Sequence, residues 1–342
     1  MNVIVPACGL STRFPNRPLK WLLTDPSGDL MIQKAIKGIE SSIAYDKLYF
    51  VVNKLICSDY SMETLREIMS VYRNVELVVL DYQTKSQTET VFKAIKKCDL
   101  HGPIYIKDTD NYFEAECSGE NTVSVCCLDD YDVSYRGKSY VEVDHDGAIK
   151  NIVEKRVISN LFCCGGYGFK CASEFVKYYN PDLAYISDLI RVMINDGQKI
   201  YINRAKNYID WGDLESWEKY RSEYRTIFID LDGVIVVNSG RYSKQPWGRT
   251  MGIRGNIDFL NELYTGGKTQ IVIVTARPEE FRKVTEAQLK REGVMYHMLV
   301  MGMLHAKRIL VNDYSVTNPY RSCEAINVRR NGYIKDQLVG GL

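Results

Sequence analysis

The residues best equipped for chemistry in this chain are paired carboxylates and spaced cations. They cluster at three places. Asp230 and Asp232 close the apolar run Thr226-Ile-Phe-Ile229, two residues apart and just ahead of Gly233. Like charges this close repel unless a cation or a phosphate partner compensates. Asp108 and Asp110 repeat the pattern after Pro103-Ile-Tyr-Ile-Lys107. Near the start, a loop over residues 8–20 combines small residues with Arg13 and Lys20. Such a loop offers backbone N–H groups and positive charge to phosphates. Gly9 lets the backbone approach closely, and Arg13 can grip an oxyanion bidentately. The spacing matches neither a Walker loop nor a Gly-x-Gly-x-x-Gly fingerprint, so an ordinary strand–loop–helix connection is the competing reading.

These groups act together only if strands carry them to one edge. Short β-branched and aromatic runs predict strands over residues 3–7, 48–52, 75–80 and 103–110. Helices are predicted over 30–39, 62–71 and 87–96, the last led by Thr84 and Ser86 as caps. Strand and helix in turn imply a parallel sheet with right-handed crossovers. Ligands bind at the C-terminal ends of such strands. Arg13, Lys20, Asp108 and Asp110 then surround one crevice, as a nucleoside triphosphate with Mg²⁺ would require.

The pattern changes after residue 122. A strand is expected over 122–128 and a hairpin over 140–144 and 149–154, turned at Asp146-Gly147. The glycine-studded run 161–169 reads as a strand that a ligand approaches closely. A helix holding Ser187 and Asp188 and a strand over 199–203 follow. Asp210 then ends a strand and Asp213 caps a helix. A charged helical segment, 217–225, leads into the Asp230 run instead of a Gly/Ser linker. Beyond it we expect helices over 256–263 and 279–292. Strands are expected over 226–229, 270–275, 298–301 and 308–311, the last ending in Asn312-Asp313.

Composition narrows the class. With 342 residues, two domains are the prior, placed at 1–222 and 223–342. Hydrophobic residues make up 45% and charged residues 25%, with a net charge of +1, which fits a soluble globular protein and not a nucleic-acid binder. No apolar run approaches the ~20 residues that span a bilayer, and no secretory signal opens the chain. The ten cysteines include no Cys-x-x-Cys pair, so zinc is not expected. They read as reduced, mostly buried thiols of a cytoplasmic protein.

Residues 1–222 resemble the GT-A-like sugar-phosphate nucleotidylyltransferases. The resemblance rests on Pro6-Ala-Cys-Gly-Leu-Ser-Thr-Arg-Phe14, Arg17-Pro-Leu-Lys20, Lys107-Asp-Thr-Asp-Asn111, Glu154-Lys155, Gly165-Gly166 and Ile209-Asp-Trp-Gly-Asp213. It implies a Rossmann-like α/β domain that binds a nucleotide through Ala7, Gly9, Ser11, Thr12, Gln87 and Asp108, with Gln87 reading a pyrimidine edge. Arg13 and Lys20 would be catalytic, Lys20 at the α-phosphate, and Asp110 and Asp210 would hold Mg²⁺. Glu154, Lys155, Gly166 and Asp188 would face the acceptor. Ser11 stands where many members have a second glycine, and Leu19 separates the usual Pro-Lys pair.

Residues 223–342 resemble the haloacid dehalogenase superfamily of phosphohydrolases, in a small-cap (C0-like) form. That resemblance makes Asp230 the nucleophile, Asp232 the general acid/base and Lys307 the charge-stabilising lysine. Thr275 and Arg277 would bind the phosphoryl group, and Asp313 would join Asp230 and Asp232 at Mg²⁺. The combined expectation is an α/β bifunctional enzyme of surface-polysaccharide precursor synthesis. It would transfer a nucleotidyl group from CTP, UTP or dTTP to a sugar or polyol phosphate, and hydrolyse a related phosphate ester. The alternative keeps the transferase beside a non-catalytic second domain. The expected partners are an NTP and a small phosphorylated sugar or polyol, with neither nucleic acid nor membrane; a homo-oligomer is left open.

Overall fold

The computed structural model describes residues 1–15, 19–40, 43–116, 119–312 and 323–339. The chain divides into two units, Met1–Arg221 and Ser222–Leu342. In the first, β1 (Asn2–Pro6), β2 (Lys47–Asn53), β3 (Val75–Leu80) and β4 (Ile104–Lys107) are parallel, in the order β4-β1-β2-β3. Helices α1 (Met31–Glu40), α2 (Lys54–Asp59), α3 (Met62–Met69) and α4 (Gln87–Lys97) supply the crossovers. Alternate residues of β1 enter opposite core layers, Val3 and Val5 on one side and Ile4 on the other. A sheet covered on both faces needs such continuous apolar strands. Helix α1 meets it with Ile32, Ala35, Ile36 and Ile39, which recur at helical spacing and are all buried. Ser86 caps α4, its hydroxyl accepting from the Glu89 N–H.

The order β4-β1 puts the ends of both strands side by side, so the 8–20 loop and Asp108 share one edge. The sheet then becomes mixed. After β5 (Asn111–Glu114) and β6 (Thr122–Cys127) come the hairpin β7 (Ser139–Val143) and β8 (Ile149–Glu154), and then β9 (Leu161–Phe169). β9 is antiparallel to both β4 and β6. α5 (Ala172–Tyr178), α6 (Ile186–Asn195) and β10 (Tyr201–Arg204) follow. β11 (Lys206–Asp210) forms a separate ribbon with β5, which sets Asp210 opposite Asn111. Asp213 then caps α7 (Leu214–Ser222), accepting from the Ser216 N–H at 2.9 Å.

The second unit is built on β12 (Arg225–Asp230), β13 (Thr269–Val274) and β14 (Met298–Val300), all parallel. With α8 (Arg254–Thr265) and α9 (Arg282–Glu292) they enclose a core that includes Ile229, Leu231, Ile257, Leu260, Ile273 and Leu289. Two expectations need correction. The helix expected from 279 begins as a 3₁₀ turn at Glu279–Phe281. The strand expected over 308–311 does not form: Ile309, Leu310 and Val311 are 75%, 52% and 91% exposed. Their β propensity has no ladder partner to act on, and propensity without pairing and burial does not make a strand. Among the described residues, no helix is long and apolar enough to cross a membrane.

Candidate functional site

The first loop leaves β1 buried and becomes exposed. Ala7 is buried and ties back through its N–H to Val51 O at 2.8 Å, whereas Thr12 is exposed. Nothing stands within 4 Å of the space beside Gly9, so that backbone is open to a ligand. Ser11 has φ +52, a left-handed conformation that favours glycine. The seryl residue thus takes the glycine geometry, and its Oγ accepts from the Lys20 N–H at 2.9 Å. That bond brings the two ends of the loop together. Arg17 and Pro18 lie outside the described residues.

Lys20 turns its ammonium onto Asp110, and Arg13 approaches the same carboxylate oxygen at 3.9 Å. Burial works against ionisation of Asp110, but Lys20, Arg13 and Lys138 outweigh it and hold the carboxyl well below its usual range. Asp108 behaves oppositely. Burial, and then the charge of Asp110, push it up to about 7. Its Oδ1 accepts from the Gln87 amide, so Gln87 faces Asp108. Beneath the turn lies Lys107, wholly buried, whose Nζ donates to Asp108 O (2.7 Å), Asn111 O (2.9 Å) and Asn111 Oδ1 (2.6 Å). All three donors are used, so the lysine fixes the 108–111 turn from inside. A lysine at the end of an apolar strand was a legible signal for such a role, since lysines are almost never buried without partners.

The β5–β11 ribbon closes the other side. A Cβ on Gly212 would stand 3.2 Å from Asp210 Oδ1, 3.6 Å from Arg13 Nη1 and 3.8 Å from Asp110 Oδ2. Both carboxylates and the arginine therefore border one small space beside Gly212, which a methyl group would fill. Asp210 is 11% exposed and pairs with Lys138 Nζ at 2.7 Å; the same ammonium donates to Tyr208 OH at 2.6 Å. Burial, and then Asp210, raise the Tyr208 phenol well above its usual range, which keeps it neutral. Lys138 and Tyr208 gave no local signal, because their pairing exists only once the β7 hairpin and the ribbon are folded. Carboxylate oxygens such as these are the hard ligands that a divalent cation like Mg²⁺ takes.

Glu154 and Lys155 end the hairpin near the start of α6. Glu154 Oε2 accepts from Ser139 Oγ and from Ser187 Oγ, the latter at 2.8 Å. Lys155 donates to Tyr185 OH and lies 4.5 Å over its ring. Asp188 accepts from the Tyr185 N–H at 3.4 Å and pairs with Arg191 at 3.2 Å, both local to the helix. Gly166 departs from the expectation of ligand approach. A Cβ there would be 2.1 Å from Tyr105 Oη and 2.8 Å from Ser124 Oγ, so the chain's own side chains fill the space.

In the second unit, Asp230 is level with Val274 on the neighbouring strand, which puts Thr275 beside the turn that carries Asp232. Gly233, at φ +89, allows that turn. Thr275 is buried, and its Oγ1 accepts from the Arg277 N–H at 3.2 Å. Arg277 is wholly buried and clamps Asp232 with two bonds of 2.8 Å, Nε to Oδ2 and Nη2 to Oδ1. Its Nη1 continues to Gln288 Oε1 at 2.8 Å, and Gln288 to Thr250. Arg277 thus faces a carboxylate of its own chain. Lys307 is exposed, and the cation at Asp230 is Arg308, 3.1 Å away. Asp313 lies outside the described residues.

Comparison with known proteins relates the fold of this chain to nucleotidyltransferases. A nucleoside-diphosphate-sugar pyrophosphorylase from Vibrio cholerae superposes with TM-score 0.55 and 17% identity, over 64% of this chain and 99% of its own. The inositol-1-phosphate CTP transferase of T. maritima gives 0.53 and 12%, over 64% and 93%. A UTP-bound UGPase from Acinetobacter baumannii gives 0.50 and 16%, over 65% and 92%. No protein-family model matches the chain, and no curated protein matches it in sequence. What is shared is an α/β fold with a mixed sheet of parallel and antiparallel strands.

Proposed function

We propose that the first unit transfers a nucleotidyl group from an NTP to the phosphate of a small sugar or polyol. The carrying observation is the convergence of Asp110, Asp210 and Arg13 beside Gly212, with Lys20 on Asp110. In this reading the loop N–H groups around Gly9 and Ser11, with Arg13, bind the triphosphate, and Lys20 offsets charge on the α-phosphate. Asp110 and Asp210 would hold Mg²⁺, which would supply further neutralisation of the phosphates. An oxygen of the acceptor phosphate bonds to the α-phosphorus, and the bond to the bridging oxygen breaks. Pyrophosphate leaves with the electron pair. An ionised acceptor phosphate needs no strong general base, so positioning and charge neutralisation carry the rate.

CTP, UTP and dTTP with compact acceptors form the substrate panel, and the sugar- and polyol-phosphate enzymes of like fold support that choice. These three nucleotides and ATP, tested against several sugar and polyol phosphates and read by pyrophosphate release, give the experiment. Turnover should vanish in Asp110→Ala and in Lys20→Ala. Pyrophosphate release that survives both substitutions would sink the proposal.

A second activity, hydrolysis of a related phosphate ester by the second unit, is favoured by one observation. Asp230 and Thr275 end adjacent parallel strands, where a phosphate would sit. Asp230→Asn should abolish phosphatase turnover. If the unsubstituted chain hydrolyses none of the panel esters, the non-catalytic alternative holds, and the Arg277 clamp on Asp232 is then its structural purpose.

A further inference from the structure

Resting on the nucleotidyl-transfer reading, we propose that Lys138 is a second phosphate-binding cation of that site. It would take the acceptor's phosphate, while Lys20 and Arg13 take the donor's triphosphate. Three observations converge on it. First, Lys138 is the residue before β7, and its carbonyl accepts from the Lys155 N–H at 2.8 Å. The adjacent Ser139 bonds Glu154. Lys138 is thus anchored to the segment that carries Glu154 and Lys155.

Second, its ammonium enters the carboxylate cluster itself. It pairs with Asp210 at 2.7 Å, and Asp210 borders the same space beside Gly212 as Asp110 and Arg13. Third, a lysine ammonium has three N–H donors, and its hydrogen bonds among the described residues go to two partners, Asp210 and Tyr208. The side chain is 12% exposed, with Nζ lying 5.0 Å from the Tyr208 ring centre and 5.9 Å from that of Phe162. Those rings lie against the ammonium, and one donor is left for a ligand oxygen. The chemistry requires such a group. An acceptor phosphate must approach another phosphate, and two anions at bonding distance repel strongly in a site shielded from water. Arg13, Lys20 and Lys138 against Asp110 and Asp210 leave a surplus of one positive charge among these five groups, before any cation binds.

The competing role is purely structural, with Lys138 serving only to neutralise Asp210. Two probes separate the roles on the full chain in the presence of Mg²⁺: inorganic phosphate for the acceptor's end, and pyrophosphate for the donor's. Binding is measured calorimetrically for the unsubstituted chain and for Lys138→Met, Lys138→Gln and Lys20→Met. Lys138→Gln keeps a hydrogen-bond donor toward Asp210 and Tyr208, and so guards against simple misfolding. Both Lys138 variants should weaken phosphate binding by about tenfold or more, the scale of one charge-assisted bond. Pyrophosphate should change by less than about twofold, and Lys20→Met should show the reverse. Once an acceptor is known, its KM should rise in Lys138→Gln while the KM of the NTP holds. Unchanged phosphate binding in Lys138→Gln overturns the inference alone, as does an equal loss of both probes. If the unsubstituted chain binds neither probe, the transfer reading fails and this inference goes with it.

Discussion

Gly212 offers a direct test of where transfer happens. Replacing it by alanine adds one methyl group, 3.2 Å from Asp210 Oδ1, 3.6 Å from Arg13 Nη1 and 3.8 Å from Asp110 Oδ2. The first contact is tight and asks the carboxylate to give a few tenths of an ångström; the other two are ordinary. The backbone at 212 is outside the left-handed region, so alanine brings no strain of its own. A Gly→Ala change at a compatible position is worth ~0.4–1 kcal/mol of added stability through the unfolded chain. We expect it to offset the tight contact, leaving the melting temperature within about 3 °C of the unsubstituted protein. Function should respond differently, because the methyl occupies the volume that both carboxylates and the arginine face. Displacing a reacting phosphate by about 1 Å costs on the order of 100-fold in rate, which is about 2.7 kcal/mol of transition-state energy. The assay is pyrophosphate release from the productive NTP–acceptor pair, beside a thermal melt by circular dichroism. Activity within twofold of the unsubstituted chain would show that this volume is not the place of transfer. A large fall in melting temperature would show that the methyl acts on packing.

Three other outcomes are expected. Gly166→Ala should behave oppositely to Gly212→Ala, because its methyl would meet Tyr105 Oη at 2.1 Å and Phe113 Cζ at 2.7 Å inside the sheet. An overpacking cost of ~1–3 kcal/mol should appear in urea denaturation, and an unshifted midpoint would refute it. Arg277→Met should destabilise the second unit by ~3–5 kcal/mol, since it leaves Asp232 without its buried counter-ion. Pyrophosphate release at permissive temperature should survive that change, and a midpoint shift below ~1 kcal/mol would contradict it. Thiol labelling should follow burial. The Cys8 thiol, pushed up to about 12 by burial, and buried Cys163 should resist labelling in the native chain at pH 8. Exposed Cys323 and half-buried Cys171, whose thiol is lowered chiefly by the Ser173 hydroxyl, should react first. Because the thiolate is the nucleophile, raising the pH to 9 should leave Cys8 protected, and rapid native modification of it would falsify the burial argument.

Much of the first unit is legible in the sequence, because alternating strands and helices leave periodic patterns. The runs at 3–7, 48–52 and 75–80 predict three of the central strands to within a residue or two. Alternation also implies that Arg13, Lys20, Asp108 and Asp110 share one edge, and the β4-β1 pairing brings them there. The ribbon was less legible. Asp210 reads as the end of a strand, but nothing local says that the strand leaves the main sheet and pairs with β5. Lys138 depends on that pairing, so it could not be found by spacing. The glycines at 165 and 166 carry a true signal of close approach, but spacing cannot say whether a ligand or the protein does the approaching; Asn111 and Asp108 fill the space at 165, and Tyr105 that at 166. In the second unit, the 308–311 run failed for want of a neighbour. Arg277 looks like a phosphate ligand in sequence because its true partner, Asp232, is 45 residues away.

The pairing of charges in the two units follows one physical rule with two different consequences. In the second unit, Asp232 meets a wholly buried arginine through both oxygens, and that arginine is fixed in turn by Gln288 and Thr285. A ligand that needed this carboxylate would have to break two good bonds within a closed network. In the first unit, the ammonium groups on Asp110 and Asp210 sit on side chains that are 16% and 12% exposed, those of Lys20 and Lys138. Lysine carries its charge on a flexible stem and can turn from a carboxylate to a phosphate with little rearrangement of the fold. Under the proposed transfer, an exchangeable pairing of this kind would keep the carboxylates satisfied without a ligand and release them when a cation and a polyphosphate arrive together. The contrast favours the first unit as the place where chemistry is done. It also predicts that a divalent cation binds there more tightly with nucleotide than alone. Titration of Mn²⁺ with and without CTP would check this, and equal affinity in both arms would refute the exchange.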